Sequence, residues 1–305
     1  MVIMDWLVHG GHQYEFFKTG PLFYCTNKAG TPPKYTDLGR PKNKNVQFVH
    51  ESLVKNKKID ILMVRSSIRE PRFLNFRHKR KLPGIAVMQT HTPFKPPSWA
   101  RCVVWNSKAV MDKYKRNFTR QEHFYIPHGF DPDEFKAKPW LPRNNRILSV
   151  NSAFEERRGL LGFADWKYVS KKTGFCDLLG HGNDNLKECI GSHPLEKLVN
   201  IYNSYGVYLN TTTHSAMPRA RAEALMCGMP MVTTNNYGIS RYLKDGVSCL
   251  FADNKVDMLK CCKKILKSKK LQDDMSAGAR EAAINHFHIN DYIDKWNYVF
   301  ERTLR

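Results

Sequence analysis

The 305-residue sequence is short of acidic side chains and of long apolar runs. It has 28 Asp and Glu against 49 Lys and Arg, a formal net charge of +21. That excess is larger than solubility requires, and it indicates a polyanionic partner such as nucleic acid, an anionic membrane face or an acidic polymer. No apolar run approaches the ~18 residues that cross a bilayer, so we expect no membrane-spanning helix. The share of hydrophobic residues, 42%, suffices for sizeable cores and excludes wholesale disorder.

The cysteine pattern lacks the spacing of a metal or redox motif. None of the eight cysteines forms a CxxC pair, and Cys261 and Cys262 are adjacent, which is a poor arrangement for bridging each other. We therefore predict reduced thiols in a cytoplasmic protein, without a zinc site. The N-terminal apolar stretch contains Asp5 and has no basic region before it, which predicts a strand rather than a signal peptide.

The positive charge is concentrated in the first part of the chain. Residues 1–138 contain 25 basic and 11 acidic side chains, whereas residues 139–305 contain 24 and 17. The densest stretch, residues 65–81, combines cations that can neutralise phosphates with rings that can stack on bases. This pattern indicates nucleic-acid binding, and it is also typical of a solvated loop anchored to the core by two rings. The candidate contacts are Arg65, Arg69, Arg72, Phe73, Phe76, Arg77, Lys79, Arg80 and Lys81.

Short apolar strands alternate with amphipathic helices along the whole chain. Strands are predicted at 3–8, 60–65, 84–89, 101–105 and 124–127, and after a Pro-rich polar stretch at 146–151, 177–180, 206–210, 230–234 and 249–251. Such alternation with short connections predicts an α/β fold of two parallel, doubly wound sheets. We predict Rossmann-like domains at 1–138 and 139–288. A C-terminal helix within 289–305 is predicted to return to the first domain, because Tyr292, Trp296, Val299 and Phe300 share one face.

Several motifs resemble one enzyme family over nearly the whole chain. They are LVNIYNSYGVYLNT (198–211), PRARAEALMCGMP (218–230), KDGVSCLF (244–251) and IPHGFDPDEF (126–135). Together they are similar to retaining glycosyltransferases of family four, in a compact form such as those encoded by large bacteriophages. The resemblance implies the GT-B fold, with two Rossmann-like domains facing each other across a cleft. It also implies a nucleotide-sugar donor, most often UDP-linked, and no further cofactor.

The donor site implied by the resemblance draws on both halves of the chain. Gly10 and Gly11 follow the first strand, where a glycine pair is also typical of a plain turn. Glu223 corresponds to the acid that holds the ribose hydroxyls, because a carboxylate accepts two hydroxyl hydrogen bonds. A serine stands where the family has a first acid, which leaves the identity of the donor sugar open. The remaining donor candidates are Arg157, Arg158, Ser215, Ala216, Met217 and Arg219, with Arg221 as a further cation for the diphosphate.

His91 is the predicted catalytic residue. It follows a strand, at the end of a parallel sheet where ligands bind, and it resembles the family's histidine at the reacting centre. A histidine there can also be an ordinary core residue. His12 and His128 are the next candidates. No metal is expected, because Asp131-Pro-Asp133 belongs to the motif at 126–135 and no other Asp-x-Asp element has a suitable context.

Three hypotheses from different classes remain open. The first is a glycosyltransferase acting on hydroxymethylated bases of viral DNA, a monomer in the host-cell cytoplasm. The second is a glycosyltransferase acting on an anionic lipid or cell-envelope polymer at a membrane surface. The third is a non-catalytic nucleic-acid-binding protein on a GT-B scaffold, against which the joint presence of Glu223, Gly10-Gly11 and His91 argues.

Overall fold

The computed structural model describes residues 1–27, 31–33, 40–54, 57–65, 81–215 and 217–305. Within these ranges the chain forms two compact α/β units. The first contains Met1–Gly129 together with Ile289–Arg305, and the second contains Phe130–His288. No helix in these ranges is both long enough and apolar enough to cross a bilayer.

The first unit is built on a seven-stranded parallel sheet in the order β3-β2-β1-β4-β5-β6-β7. The central strands β4 and β5 are continuous apolar runs because both faces of a parallel sheet are covered, whereas β1 also carries the buried Asp5. Ile3 pairs with Phe23 on one side and with Ile61 on the other. The strands are β1 (Val2–Trp6), β2 (Leu22–Thr26), β3 (Val46–Phe48), β4 (Ile61–Val64), β5 (Gly84–Met88), β6 (Ala100–Trp105) and β7 (Glu122–Tyr125); the helices are α1 (Gly10–Phe17), α2 (Glu51–Val54) and α3 (Lys108–Tyr114), followed by a 3₁₀ turn (Lys115–Asn117).

The second unit has a five-stranded parallel sheet in the order β12-β11-β10-β8-β9. The strands are β8 (Asn144–Val150), β9 (Cys176–Leu179), β10 (Tyr205–Asn210), β11 (Met231–Thr233) and β12 (Leu250–Phe251). The helices are α4 (Arg158–Leu161), α5 (Phe163–Thr173), α6 (Leu195–Ser204), α7 (Arg219–Met226), α8 (Lys255–Leu266) and α9 (Lys269–Phe287), with a 3₁₀ turn at Ile239–Arg241.

The last helix, α10 (Ile289–Leu304), packs into the core of the first unit. The predicted face is buried, and the Trp296 ring lies 4.6 Å from the Phe16 ring in an edge-to-face contact. Gly129 makes this packing possible, because a Cβ atom there would lie 2.3 Å from the Cβ atom of Tyr292. A larger residue at position 129 would therefore push α10 off the sheet.

The boundary between the units lies nine residues earlier than the predicted one. The Pro-rich stretch is packed rather than a free connector, since Phe130 and Phe135 are fully buried in the second unit. The guanidinium of Arg280 donates to the carbonyl oxygens of Phe135 and Pro132, over 2.8 and 3.1 Å. Two buried aromatic rings and the hydrogen bonds from Arg280 of α9 therefore hold this stretch in the second unit.

Two strands, β2 and β3, are absent from the set predicted from the sequence, because three to five residues carry too weak a periodic signal. Helix α1 begins at Gly10, so the glycine pair lies in its first turn.

Candidate functional site

Each sheet has one point where its strand order reverses. In the second unit, β8 connects outward to β9 on one side, and β10 leads to β11 and β12 on the other. The corresponding point in the first unit lies between β1 and β4. Ligands of open α/β sheets bind in the crevice beyond the carboxyl ends of the strands at such points. The loops after β8 and β10, and after β1 and β4, are therefore the candidate binding loops.

The loop after β8 carries the predicted arginine pair at the surface. Arg157 and Arg158 are exposed at the start of α4. Gly162 ends this short helix with a left-handed φ of +71°, and a Cβ atom there would lie 2.1 Å from the carbonyl oxygen of Thr211. The glycine thus lets the loops after β8 and β10 touch. Lys167 of α5, another cation near this loop in sequence, lies 3.3 Å from Glu188 and is paired.

The loop after β10 leads directly into α7. Ser215 is half-buried and Met217 is buried, whereas Ala216 lies outside the described residues. The N-cap residue is Pro218, whose side chain makes no capping hydrogen bond. The first amide groups of a helix have no acceptor within the helix, and the helix dipole favours an anion beside them.

Glu223 is buried one turn into α7, and both of its oxygens have partners. Tyr202 Oη donates to one oxygen over 3.1 Å, and Arg219 Nε donates to the other over 2.8 Å. The Arg219 guanidinium also lies 4.6 Å from the centre of the Phe130 ring. Each carboxylate oxygen has more than one lone pair, so this held carboxylate can still accept hydrogen bonds from a ligand.

Sequence reasoning missed the polar layer around this carboxylate. Tyr202 lies on the buried face of α6 and meets Glu223 only through the tertiary fold, so no local pattern indicates the contact. Asn236, after β11, donates to the carbonyl oxygens of Thr212 and Thr213 over 2.5 and 3.1 Å. It thereby ties the loop after β11 to the loop after β10. An Asn beside a strand end was the one available signal for it.

In the first unit, the loop that carries the glycine pair is held by Gln13. Its Oε1 accepts from the amides of Val8 and His9 over 2.7 and 3.1 Å, and its Nε2 donates to Asp5 over 2.9 Å. His9 caps α1, since its Nδ1 accepts from an α1 amide. Gly10 and Gly11 are half-buried in the first turn of α1. The glycine pair that is the candidate phosphate contact thus forms the first turn of α1, and side-chain hydrogen bonds of Gln13 and His9 hold this turn.

The predicted histidines cluster partly at this same edge. His12 and His128 are buried, and their rings meet edge-to-face with centres 5.0 Å apart. The side-chain nitrogen of Gln89 lies 3.0 Å from both ring nitrogens of His12. His91 is half-buried and lies three residues beyond the end of β5. His91 therefore retains the access that a residue acting on a substrate needs.

Arg65 corrects the predicted polyanion surface. Its side chain is fully buried and makes an ion pair with Asp5, whose Oδ2 lies 2.8 Å from Nη2. The guanidinium is therefore committed to the core of the first unit and cannot contact a phosphate backbone. Lys81 is exposed. The other predicted contacts, Arg69, Arg72, Phe73, Phe76, Arg77, Lys79 and Arg80, lie outside the described residues.

All eight cysteines are free thiols. Burial raises the pKa of Cys176 and of Cys249 to about 12, so these thiols stay protonated at neutral pH. Within the described ranges, no three His, Cys, Asp or Glu side chains come together as a metal site.

Comparison with known families matches the second unit. Residues 157–297 fit the family model described as glycosyl transferase-like. This range contains α4 to α9, and with them both arginines of the β8 loop and Glu223. No functionally curated protein matches the chain in a sequence comparison.

Solved structures match across both units. Anabaena HepE, solved with UDP-glucose, has a TM-score of 0.76 and 11% identity, over 99% of each chain. A Rickettsia africae glycosyltransferase has a TM-score of 0.72 and 15% identity, over 100% of this chain and 98% of that one. TarM of S. aureus, solved with fondaparinux, alpha-GlcNAc-glycerol and UDP, has a TM-score of 0.63 and 15% identity, over 79% of this chain. The match spans 55% of TarM's own length.

At these identities the structural likeness establishes the fold. The parallel sheets of the two units are those expected from the motifs, and the sequence match lies mostly in the second unit and ends at residue 297 of α10. The chain has the α/β fold of GT-B glycosyltransferases, and its residues 157–297 match the glycosyl transferase-like family.

Proposed function

We propose that this protein transfers a sugar from a UDP-linked donor to a hydroxyl acceptor, with retention and without a metal ion. The observation that carries the proposal is the Glu223 carboxylate, which is buried beside the β8–β10 switch point with both oxygens oriented by protein groups. A fixed carboxylate suits a ribose diol, because it can accept both hydroxyl hydrogen bonds at once.

The diphosphate of the donor is assigned to the groups around the α7 N-terminus. Uncapped amides and the helix dipole favour an anion there. Arg157 and Arg158, exposed on the neighbouring loop, supply positive charge, and we assign Ser215, Ala216 and Met217 to the same part of the donor. The solved complex of HepE with UDP-glucose supports a nucleotide sugar as the ligand of this fold.

His91 is assigned to the reacting sugar, and Gly10-Gly11 to its phosphate side. In a retaining reaction on one face of the sugar, the acceptor oxygen bonds to the anomeric carbon as the carbon–phosphate oxygen bond breaks. The departing phosphate oxygen takes the acceptor's proton, so no carboxylate nucleophile of the glycosidase type is required. Cationic side chains and helix amides stabilise the negative charge that develops on the leaving diphosphate.

The proposed acceptor is DNA that carries hydroxymethylated bases, as in a large bacteriophage. The charge of residues 1–138 and the basic composition of residues 65–81 favour a polyanion, even with Arg65 withdrawn from the set. A base within a duplex must be flipped out before its hydroxyl can react, at about a few kcal/mol. The reaction on viral DNA would take place in the cytoplasm of the host cell.

One exposed residue favours the second candidate, transfer to an anionic lipid or envelope polymer. Trp140 is 67% exposed, while the other five tryptophans are at most 9% exposed. It lies in a turn closed by a hydrogen bond from the Leu141 amide to the Lys138 carbonyl oxygen. An exposed indole beside a lysine is the combination found at membrane interfaces.

The decisive experiment measures donor binding first and acceptor choice second. Calorimetry should show UDP binding to the wild type and its loss in Glu223→Ala. Glu196→Ala, an exposed acid on α6, is the matched control and should bind as the wild type does. A folded Glu223→Ala variant with unchanged UDP affinity would refute the ribose role. Absence of UDP binding to the wild type would leave only a non-catalytic scaffold.

Acceptors are distinguished by mass spectrometry of the products. The enzyme is incubated with a panel of nucleotide sugars and with hydroxymethylcytosine DNA, unmodified DNA or anionic phospholipid vesicles. A hexosylated nucleoside from the modified DNA alone supports the first candidate. Sugar on the lipid, together with a blue shift of Trp140 fluorescence on vesicles, supports the second.

A further inference from the structure

Arg221 is a buried cation that has no anionic partner within the described part of the chain. It lies in α7 and is 1% exposed. Its Nη1 donates to Thr233 Oγ1 over 3.2 Å and, at the longer distance of 3.5 Å, to Asn236 Oδ1. Its Nε and Nη2 are buried without a hydrogen-bond partner. Among the residues that the structure describes, no carboxylate lies within ion-pair distance of this guanidinium.

The charge lies directly behind the loop that follows β10. Asn236, which accepts from Arg221, donates to the Thr212 and Thr213 carbonyl oxygens of that loop. Thr234 Oγ1 donates to the same Thr212 oxygen over 2.6 Å. The loop then runs through Ser215 into the uncapped N-terminus of α7. One side chain thus separates the guanidinium from the loop at the switch point.

The guanidinium remains charged despite its burial. Desolvation lowers the pKa of Arg221 to about 10, which still leaves it protonated at neutral pH. A buried charge without a counter-ion destabilises the folded state. Two other arginines have compensation: the buried Arg65 forms an ion pair with Asp5, and the half-buried Arg143 donates to the carbonyl oxygens of Tyr202, Tyr205 and Gly228. Arg221 lacks either form of compensation.

We propose that Arg221 is an electrostatic positioning residue, and that its counter-ion is the diphosphate of the bound nucleotide sugar. The inference rests on the donor binding proposed above and adds to it a residue that does not touch the ligand. In a protein interior a charge acts over several ångströms with little screening. Arg221 therefore attracts the diphosphate to the loop after β10. Asn236 hydrogen-bonds both to Arg221 and to the loop carbonyl oxygens, so it fixes the loop relative to the guanidinium.

This role and a merely structural one predict opposite results for an apolar replacement. If Arg221 awaits an anionic ligand, Arg221→Met removes an uncompensated charge, and the free protein should unfold at the same or a higher temperature. If Arg221 instead stabilises the fold through its own contacts, its loss should lower that temperature. Only the first role predicts that Arg221→Met weakens binding of a charged ligand, UDP, while the affinity for its uncharged part, uridine, is kept.

The experiment compares UDP with uridine by calorimetry, and the melting temperature with and without UDP. Arg221→Met should weaken UDP binding about tenfold or more, the size expected for one unscreened charge, and change uridine binding less than about twofold. The rise in melting temperature that UDP produces should shrink accordingly. Arg221→Lys, which keeps the charge, should restore most of the UDP affinity.

Arg143→Met is the matched control. It should lower the melting temperature, because three hydrogen bonds to carbonyl oxygens are lost, and leave the UDP-to-uridine affinity ratio unchanged. An unchanged ratio in Arg221→Met, or failure of that variant to fold, overturns the inference. A wild type that binds no UDP refutes the proposed function instead, so the two failures are distinct.

Discussion

Arg219 Nε donates to Glu223 Oε1 over 2.8 Å, and the two residues are one turn apart on α7. The same guanidinium lies over the Phe130 ring, 4.6 Å from its centre. Arg219 therefore uses its charge on the protein's own carboxylate and fixes the direction in which Glu223 points. The ion pair is mostly buried, with side-chain exposures of 11% and 4%, so solvent screens it little.

Tyr202→Phe should weaken UDP binding without unfolding the protein. The substitution removes the hydroxyl that donates to Glu223 Oε2 over 3.1 Å, a loss of about 0.5–1.5 kcal/mol. Calorimetry with UDP measures the effect, and Tyr298→Phe, at an exposed position of α10, serves as the control. Equal affinities in both variants would show that the Tyr202 bond does not orient the carboxylate for the ligand.

His91→Ala should lower turnover more than donor affinity. A residue that acts at the reacting sugar stabilises the transition state more than the bound donor, so kcat falls while the affinity for the nucleotide sugar changes little. Steady-state kinetics combined with calorimetry separates the two quantities. Weakened donor binding at unchanged kcat would reassign His91 to binding alone.

Neutralising the basic segment should weaken DNA binding and flatten its salt dependence. The variant replaces Arg77, Lys79, Arg80 and Lys81 with Gln, and each lost phosphate contact should reduce the slope of log K against log salt by about 0.9. The control replaces four exposed lysines of the second unit, Lys260, Lys263, Lys264 and Lys267. If the two variants bind DNA alike, the segment is a solvated loop.

Asp5→Asn should destabilise the first unit strongly. It leaves Arg65 buried without its ion-pair partner, at about 3–5 kcal/mol in the free energy of unfolding. Asp112→Asn, at an exposed ion pair with Lys108, should change that free energy by less than about 1 kcal/mol. Urea unfolding measures both. A small loss for Asp5→Asn would mean that Arg65 is not buried against it.

Native thiols should react slowly, and alkaline pH should destabilise the fold. Six cysteines are buried, and Cys189 and Cys261 are partly exposed. A thiol reagent should therefore modify at most two groups in the native protein and eight after denaturation.

Because burial raises the pKa of Cys176 and Cys249 from 9.0 to about 12, the folded state holds these protons more tightly. Stability should fall as pH rises through that interval, and pH-dependent urea unfolding tests this.

Local chemistry along the chain sufficed to predict the α/β class and most strands. Runs such as those at 61–64 and 84–88 are apolar without interruption, because both faces of a parallel strand are buried. The apolar face of α10 was also predictable from the sequence, because Trp296 and Phe300 repeat at helical spacing.

Contacts between distant residues were decided by the tertiary structure. Arg65 stands in a basic stretch, yet it is buried because Asp5, sixty residues earlier, ends up beside it at the switch point. Tyr202 meets Glu223 only because α6 and α7 cover the same sheet. Composition gives the number of charged side chains but not which of them form ion pairs. The fold alone determined that Arg65 has a counter-ion and that Arg221, which is also buried, has none among the residues the structure describes.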